Sequence, residues 1–279
     1  QLARPAGMDN AVYVFRSTGQ YTGTYDSYIN GMGTLSGGEI ASMQGFFVHV
    51  SQPVPSFTFT DAARLTSYST PSFQRGTADV RPQLRLHLQA SGSASAAADD
   101  LFVYAEAGAT PAFDASFDAR KLPNTTGLNV AALTPAGEEL AIQGLPAFAA
   151  GAVIPLTVAV PQAGTYAFTA PTLAHLPAGT AVWLTDALTG QRTDLRTLPA
   201  TGYAFAVAAG AQQGPLHDQQ RPFVAEQTEH PRDGIGFAHK PIAAAAESRS
   251  RQRGRSAPGA HVEWVPLEIR SGSWILHTG

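Results

Sequence analysis

The sequence predicts an all-β protein. The expected core is a β-sandwich of jelly-roll or immunoglobulin-like form, with additional N-terminal strands and an irregular C-terminal tail. Three observations carry this. Only 14% of the 279 residues are charged, while Gly (27) and Pro (20) are plentiful, the composition of many short strands joined by turns. Short runs of β-branched and aromatic residues recur at intervals of roughly 8–15 residues, bounded by turn formers. No stretch of useful length carries helical periodicity, and no repeat of fixed period is present.

Residues 1–80 form a first β segment, either packed on the sandwich or left over from a truncated domain. AVYVF (11–15) reads as a strand, and tyrosines then appear among Gly, Thr and Ser in GQYTGTYDSYINGMGT. SGG (36–38) is a loop, MQGFFVHV (43–50) a second strand and SFTFT (56–60) a third. The sandwich is expected over 81–213. It begins with QLRLHLQA (83–90), in which Leu84, Leu86 and Leu88 face one way and Arg85, His87 and Gln89 the other. SGSASAAADD reads as a loop, and LFVYAE, LNVAAL and ELAIQGL as strands. Two hairpins are predicted, VIPLTVAV with TYAFTA around PQAG (161–164), and TAVWLTD with QRTDLRT around ALTG (187–190). GYAFAV (202–207) closes the sandwich.

At Gly214 the composition changes. The tail, 214–279, holds 8 of the 18 Lys and Arg residues and 5 of the 8 His. Its ordered pieces are expected to be a weak helix at PIAAAAESRSRQ and a strand at HVEWVPLEI. The run ESRSRQRGR (247–255) has the composition of a nucleic-acid patch but no aromatic interleaving, and the net charge of −3 gives no global pull toward nucleic acid. No stretch is long and apolar enough to span a membrane.

Cysteine is absent, which excludes disulfides, thiolate metal sites and a Cys nucleophile. His49, His87 and His175 have no metal-ligand spacing, and no nucleophile elbow, P-loop or dinucleotide fingerprint occurs, so no enzyme is expected. Among carboxylates, Asp114 and Asp118 in FDASFDARKL are the weak calcium candidates, with Asp99 and Asp100 placed in a loop; turn formation is the reading favoured for Asp114 and Asp118. Tyr21, Tyr25 and Tyr28 are the sugar-stacking candidates, against packing in strands. NTT (124–126) matches a glycosylation sequon.

Several phrases in order, among them MDNAVYVF, IASMQGFFVHV, FDASFDARKL, IPLTVAVPQAGTYAFTA and LPAGTAVWLTDALTGQRTDL, resemble the C-terminal region of large bacterial proteins exported by the type IX secretion system. The resemblance covers about residues 8–213. It implies a non-catalytic structural or adhesive module of a secreted or cell-surface protein, lying before a sorting domain that this chain lacks. Partners would be extracellular polysaccharide or surface components; a carbohydrate-binding accessory module of a secreted hydrolase is the alternative. Two departures stand out. The NPYPS-like segment that precedes the first phrase in that family is missing. Gly214-Pro215-Leu216-His217 also stands where the family reads much like Gly-Arg-Phe-Thr. With the codons GGG CCG CTT CAC, one of the sets that encode Gly-Pro-Leu-His, one inserted base near Gly214 would convert the second reading into the first, so the tail is expected to be a frameshifted sequence.

Overall fold

A computed structural model describes residues 4–54, 56–65, 79–91, 97–149, 152–178, 180–208, 223–229 and 264–267. The fold is all-β, and no α-helix occurs among the described residues. In chain order the first strands are β1 (Met8–Ser17), β2 (Gly23–Ile29), β3 (Met32–Gly33) and β4 (Phe46–Val50). Then come β5 (Gln83–Ala90), β6 (Ala98–Ala105), β7 (Ala119–Arg120), β8 (Asn129–Leu133) and β9 (Glu139–Leu145). β10 (Val153–Ala159), β11 (Gly164–Ala174), β12 (Thr180–Asp186), β13 (Arg192–Asp194) and β14 (Tyr203–Val207) follow. The tail adds β15 (Phe223–Glu229) and β16 (Trp264–Leu267).

A five-stranded sheet has the order β16-β4-β1-β2-β3. Its tightest turn is Asn30-Gly31, with φ of 51° and 88°, between the paired residues Ile29 and Met32. Two left-handed residues are what a two-residue hairpin needs to match strand twist, and Asn-Gly supplies them with least strain. Alternation gives this sheet two apolar faces. Met8, Val12, Phe46 and Val48 lie on one, covered by Val54 and Phe57. Ala11, Tyr13 and Ile29 lie on the other, against Tyr104, Ala119 and Ile142 of the larger sheet. The small sheet is therefore packed on the larger one. Arg81 helps to fasten the join: its guanidinium donates to Asp79, to Glu106 at 2.7 Å and to the Asn30 carbonyl at 2.6 Å.

The larger sheet has eleven strands, ordered β13-β12-β15-β10-β8-β9-β6-β5-β11-β14, with β7 on β9. Among the described residues its one parallel pairing is β6 with β9; the rest are antiparallel. The sheet is curled, so that strands distant in its order share one core. Leu84, Leu86 and Leu88 of β5 are buried in it with Phe168 of β11, Val182 of β12 and Phe205 of β14. Each such side chain contributes about 1.5–3 kcal/mol through burial. The two ends of the curl are clasped where the Tyr203 hydroxyl of β14 donates to Asp186 Oδ2 of β12 at 2.9 Å.

Several sequence expectations change. VIPLTVAV and TYAFTA do not form a hairpin: β10 pairs with β8 and β15, whereas β11 pairs with β5 and β14. Both strands bury their apolar rows in the same core, and the chain crosses between them at PQAG. Alternation specifies which face is buried, not which strand lies alongside. The other predicted hairpin, β12 with β13, forms. SFTFT is not a strand. Phe57 and Phe59 stack edge-on at 4.8 Å, and Phe59 meets Phe46 at 5.9 Å, so rings rather than a ladder hold this segment over the small sheet. Asp99 and Asp100 lie inside β6, not in a loop. Among the described residues the tail supplies two paired strands: β15 lies between β10 and β12, and β16, within HVEWVPLEI, pairs with β4. The helix expected at PIAAAAESRSRQ and the basic run 247–255 lie outside the described residues.

Candidate functional site

The outer face of the small sheet carries a groove of about 1120 Å³. Its floor is Val12, Tyr28 and Phe46, and its walls come from the segments around 37–43 and 59–65. Charges of both signs rim it: Arg4, Glu39, Asp61 and Arg64. Burial holds the Arg4 guanidinium below its ordinary value. The loop wall depends on glycine. Gly38, at φ 66°, lies against the Tyr28 ring so closely that an added Cβ would stand 2.5 Å from Cε1. A side chain there would both strain the backbone and displace the ring. Met43 is 72% exposed on the same wall. The groove thus brings an aromatic ring and side chains of both charges to one concave surface.

The three tyrosines singled out in the sequence do not form one platform. Tyr21 is exposed in the β1–β2 turn. Tyr25 points to the inner face, between Phe15 at 5.1 Å and Phe47 at 5.8 Å. Tyr28, three residues on, lies on the opposite face and lines the groove. Asp114 and Asp118 come together as a turn. Asp118 is fully buried; one oxygen accepts from the Asp114 amide and the other from the Gly144 amide, each at 2.7 Å. Asp114 accepts from the Ser116 amide at 2.9 Å. Burial pushes the Asp118 carboxyl up to about 7, against the pull of the two amides. No group of three or more metal-ligating side chains is found among the described residues.

The histidines are also placed. His87, half-buried rather than solvated, bonds to Asp100 at 3.0 Å beside Arg85, and that bond raises its pKa. His175 is exposed with φ 57°. His49 and Asp9 form a buried pair, Nδ1 to Oδ2 at 2.7 Å, on the inner side of the small sheet. Neither lines the groove.

Sequence reasoning missed a second buried network. Lys121 donates to Asp99, which also accepts from the Asn124 side chain at 2.9 Å and the Val130 amide at 2.7 Å. The Asn124 side-chain oxygen Oδ1 accepts from the Tyr25 amide at 2.8 Å, so this network ties β2 to the large sheet. It also occupies the sequon asparagine, which is 3% exposed. No local pattern could have revealed it, because Asp99 and Lys121 meet only through the fold.

No described helix is long and apolar enough to cross a membrane, which says nothing of strands. No curated protein and no solved structure matches the chain. Residues 6–214 match a family described as a domain of unknown function (DUF8693). That match ends where the composition changes, and it takes in both sheets apart from β15 and β16. The chain belongs to the DUF8693 family.

Proposed function

We propose that this protein is a non-catalytic adhesive module of a secreted cell-surface protein, exported by a type IX system, and that it binds through the groove on the small sheet. The observation that carries the reading is the groove itself, a wide solvent-facing channel with Arg4, Arg64, Glu39 and Asp61 along a floor of Val12 and Tyr28. The assignment to the cell surface rests on the ordered phrases between residues 8 and 213. The carbohydrate-binding alternative uses the same groove rather than a tyrosine platform, since Tyr21, Tyr25 and Tyr28 lie apart.

The test is binding of the full chain to an array of neutral and uronic-acid-containing oligosaccharides and to immobilised extracellular matrix protein. The expected result is retention on one of these surfaces, weakened at least tenfold by Arg64→Ala with Asp61→Ala, both exposed. Saccharide binding identifies the accessory-module reading. No binding to either surface, or binding that ignores the groove variants, overturns the assignment of the groove.

A further inference from the structure

A strand from outside the family module occupies the middle of its large sheet. The family match ends at residue 214, yet β15 lies between β10 and β12. All seven residues of β12 pair with β15, from Thr180↔Glu229 to Asp186↔Phe223. On the other side the first four residues of β10 pair with it, from Val153↔Glu226 to Leu156↔Phe223. β8 takes over β10 only from Leu156 onward. Without β15, the module would present two facing strand edges and a slot about seven residues long. Unpaired edges of this kind bind an added strand through main-chain hydrogen bonds.

The slot is built as an edge. Pro155 stands in the part of β10 that pairs only with β15, and proline is confined to edge strands because it has no N–H to give to the ladder. The outward side chains here, Val153 and Pro155, are exposed. The inward row, Ile154, Leu156, Val182 and Leu184, is buried, and it stands in register with Phe223, Ala225 and Gln227 of β15.

The connection is long for the gap it must bridge. β14 ends at Val207 and β15 begins at Phe223. Tyr203 touches Asp186, and Asp186 pairs with Phe223. With four residues of β14 added, the gap is no more than about 30 Å. The 15 intervening residues reach up to about 50 Å when extended. We propose that the slot between β10 and β12 is a strand-acceptor site, filled by residues 223–229 of the same chain or, by exchange, of a second copy. Exchange of an identical element between copies keeps every contact and changes only which chain supplies it. This holds independently of what the groove binds.

The test uses two full-chain variants, Val153→Cys and Glu226→Cys, which stand opposite one another in the ladder. The chain has no native cysteine to interfere. The double variant should close a disulfide within one chain. An equimolar mixture of the single variants, refolded together from urea, should give a covalent dimer in which peptide mapping finds residue 153 of one chain bonded to 226 of the other. Its yield should rise with protein concentration against the roughly millimolar effective concentration of the tethered strand. Closure of the double variant without this mixed dimer overturns exchange. Failure of both to close overturns the slot's occupancy by residues 223–229 and the proposal with it.

Discussion

Lys121→Met keeps most of the buried stem and removes the ammonium. Lys121 is 9% exposed and its partner Asp99 8%, so the charge left behind has little access to water. Asp99 would retain two donors, the Asn124 side chain and the Val130 amide. Breaking a buried pair from one side costs about 3–5 kcal/mol, and the two remaining donors place this variant near the lower end. Asp99→Ala should cost more. It leaves a buried ammonium and removes the acceptor of two further donors, each worth about 1–3 kcal/mol when left unsatisfied. Asp99→Leu with Lys121→Met removes both charges and should cost less than the sum of the single changes. Urea unfolding followed by tryptophan fluorescence gives the differences from the midpoints, provided the slope is unchanged. If Lys121→Met costs under about 1 kcal/mol at unchanged slope, the pair behaves as an exposed one and the reasoning fails.

Asp118 makes stability depend on pH. Its carboxyl is raised from 3.8 to about 7 in the folded state, so the native protein holds a proton that the unfolded chain releases. The stability it contributes is full below about pH 4 and is lost as pH rises through 7, up to about 4 kcal/mol in all; Asp118→Asn should flatten this slope in urea titrations at pH 4.5 and 8. Tyr203→Phe removes the hydroxyl that clasps β14 to Asp186 and should destabilise by about 1.5–3 kcal/mol, read as a lower urea midpoint. Asn124 is held by Asp99 and by the Leu128 carbonyl, so chain secreted from a eukaryotic host should show no glycan at this sequon by intact mass.

Strands whose residues alternate cleanly were legible in the sequence. β5 and β12 fall at 83–90 and 180–186, as the pattern predicts. Alternation fails where side chains of both faces are buried or where rings replace ladder bonds, which is why SFTFT reads as a strand and is none. The Asn30-Gly31 dipeptide carries a strong local hairpin signal, set among neighbouring tyrosines. Partner choice was the larger loss, as β10 and β11 show, because two strands that share a core need not share an edge. The site was barely legible. Arg4, Glu39, Asp61 and Arg64 rim one groove but lie on separate segments, and no spacing rule connects them. Asp118 was visible as a turn former; its burial, which sets its chemistry, was not.

The pairing of β5 with β11 has a consequence for how the chain reaches its fold. Leu88 stands opposite Phe168, eighty positions later. Closing such a loop loses chain entropy before any ladder contact compensates it, so folding should be slow, in the range of milliseconds to seconds. Until Phe168 emerges from the ribosome, β5 has β6 on one side and an open edge on the other, with Leu84, Leu86 and Leu88 in search of cover. The nascent protein is thus most vulnerable to aggregation over the eighty residues between those two strands, and a holding chaperone would act there.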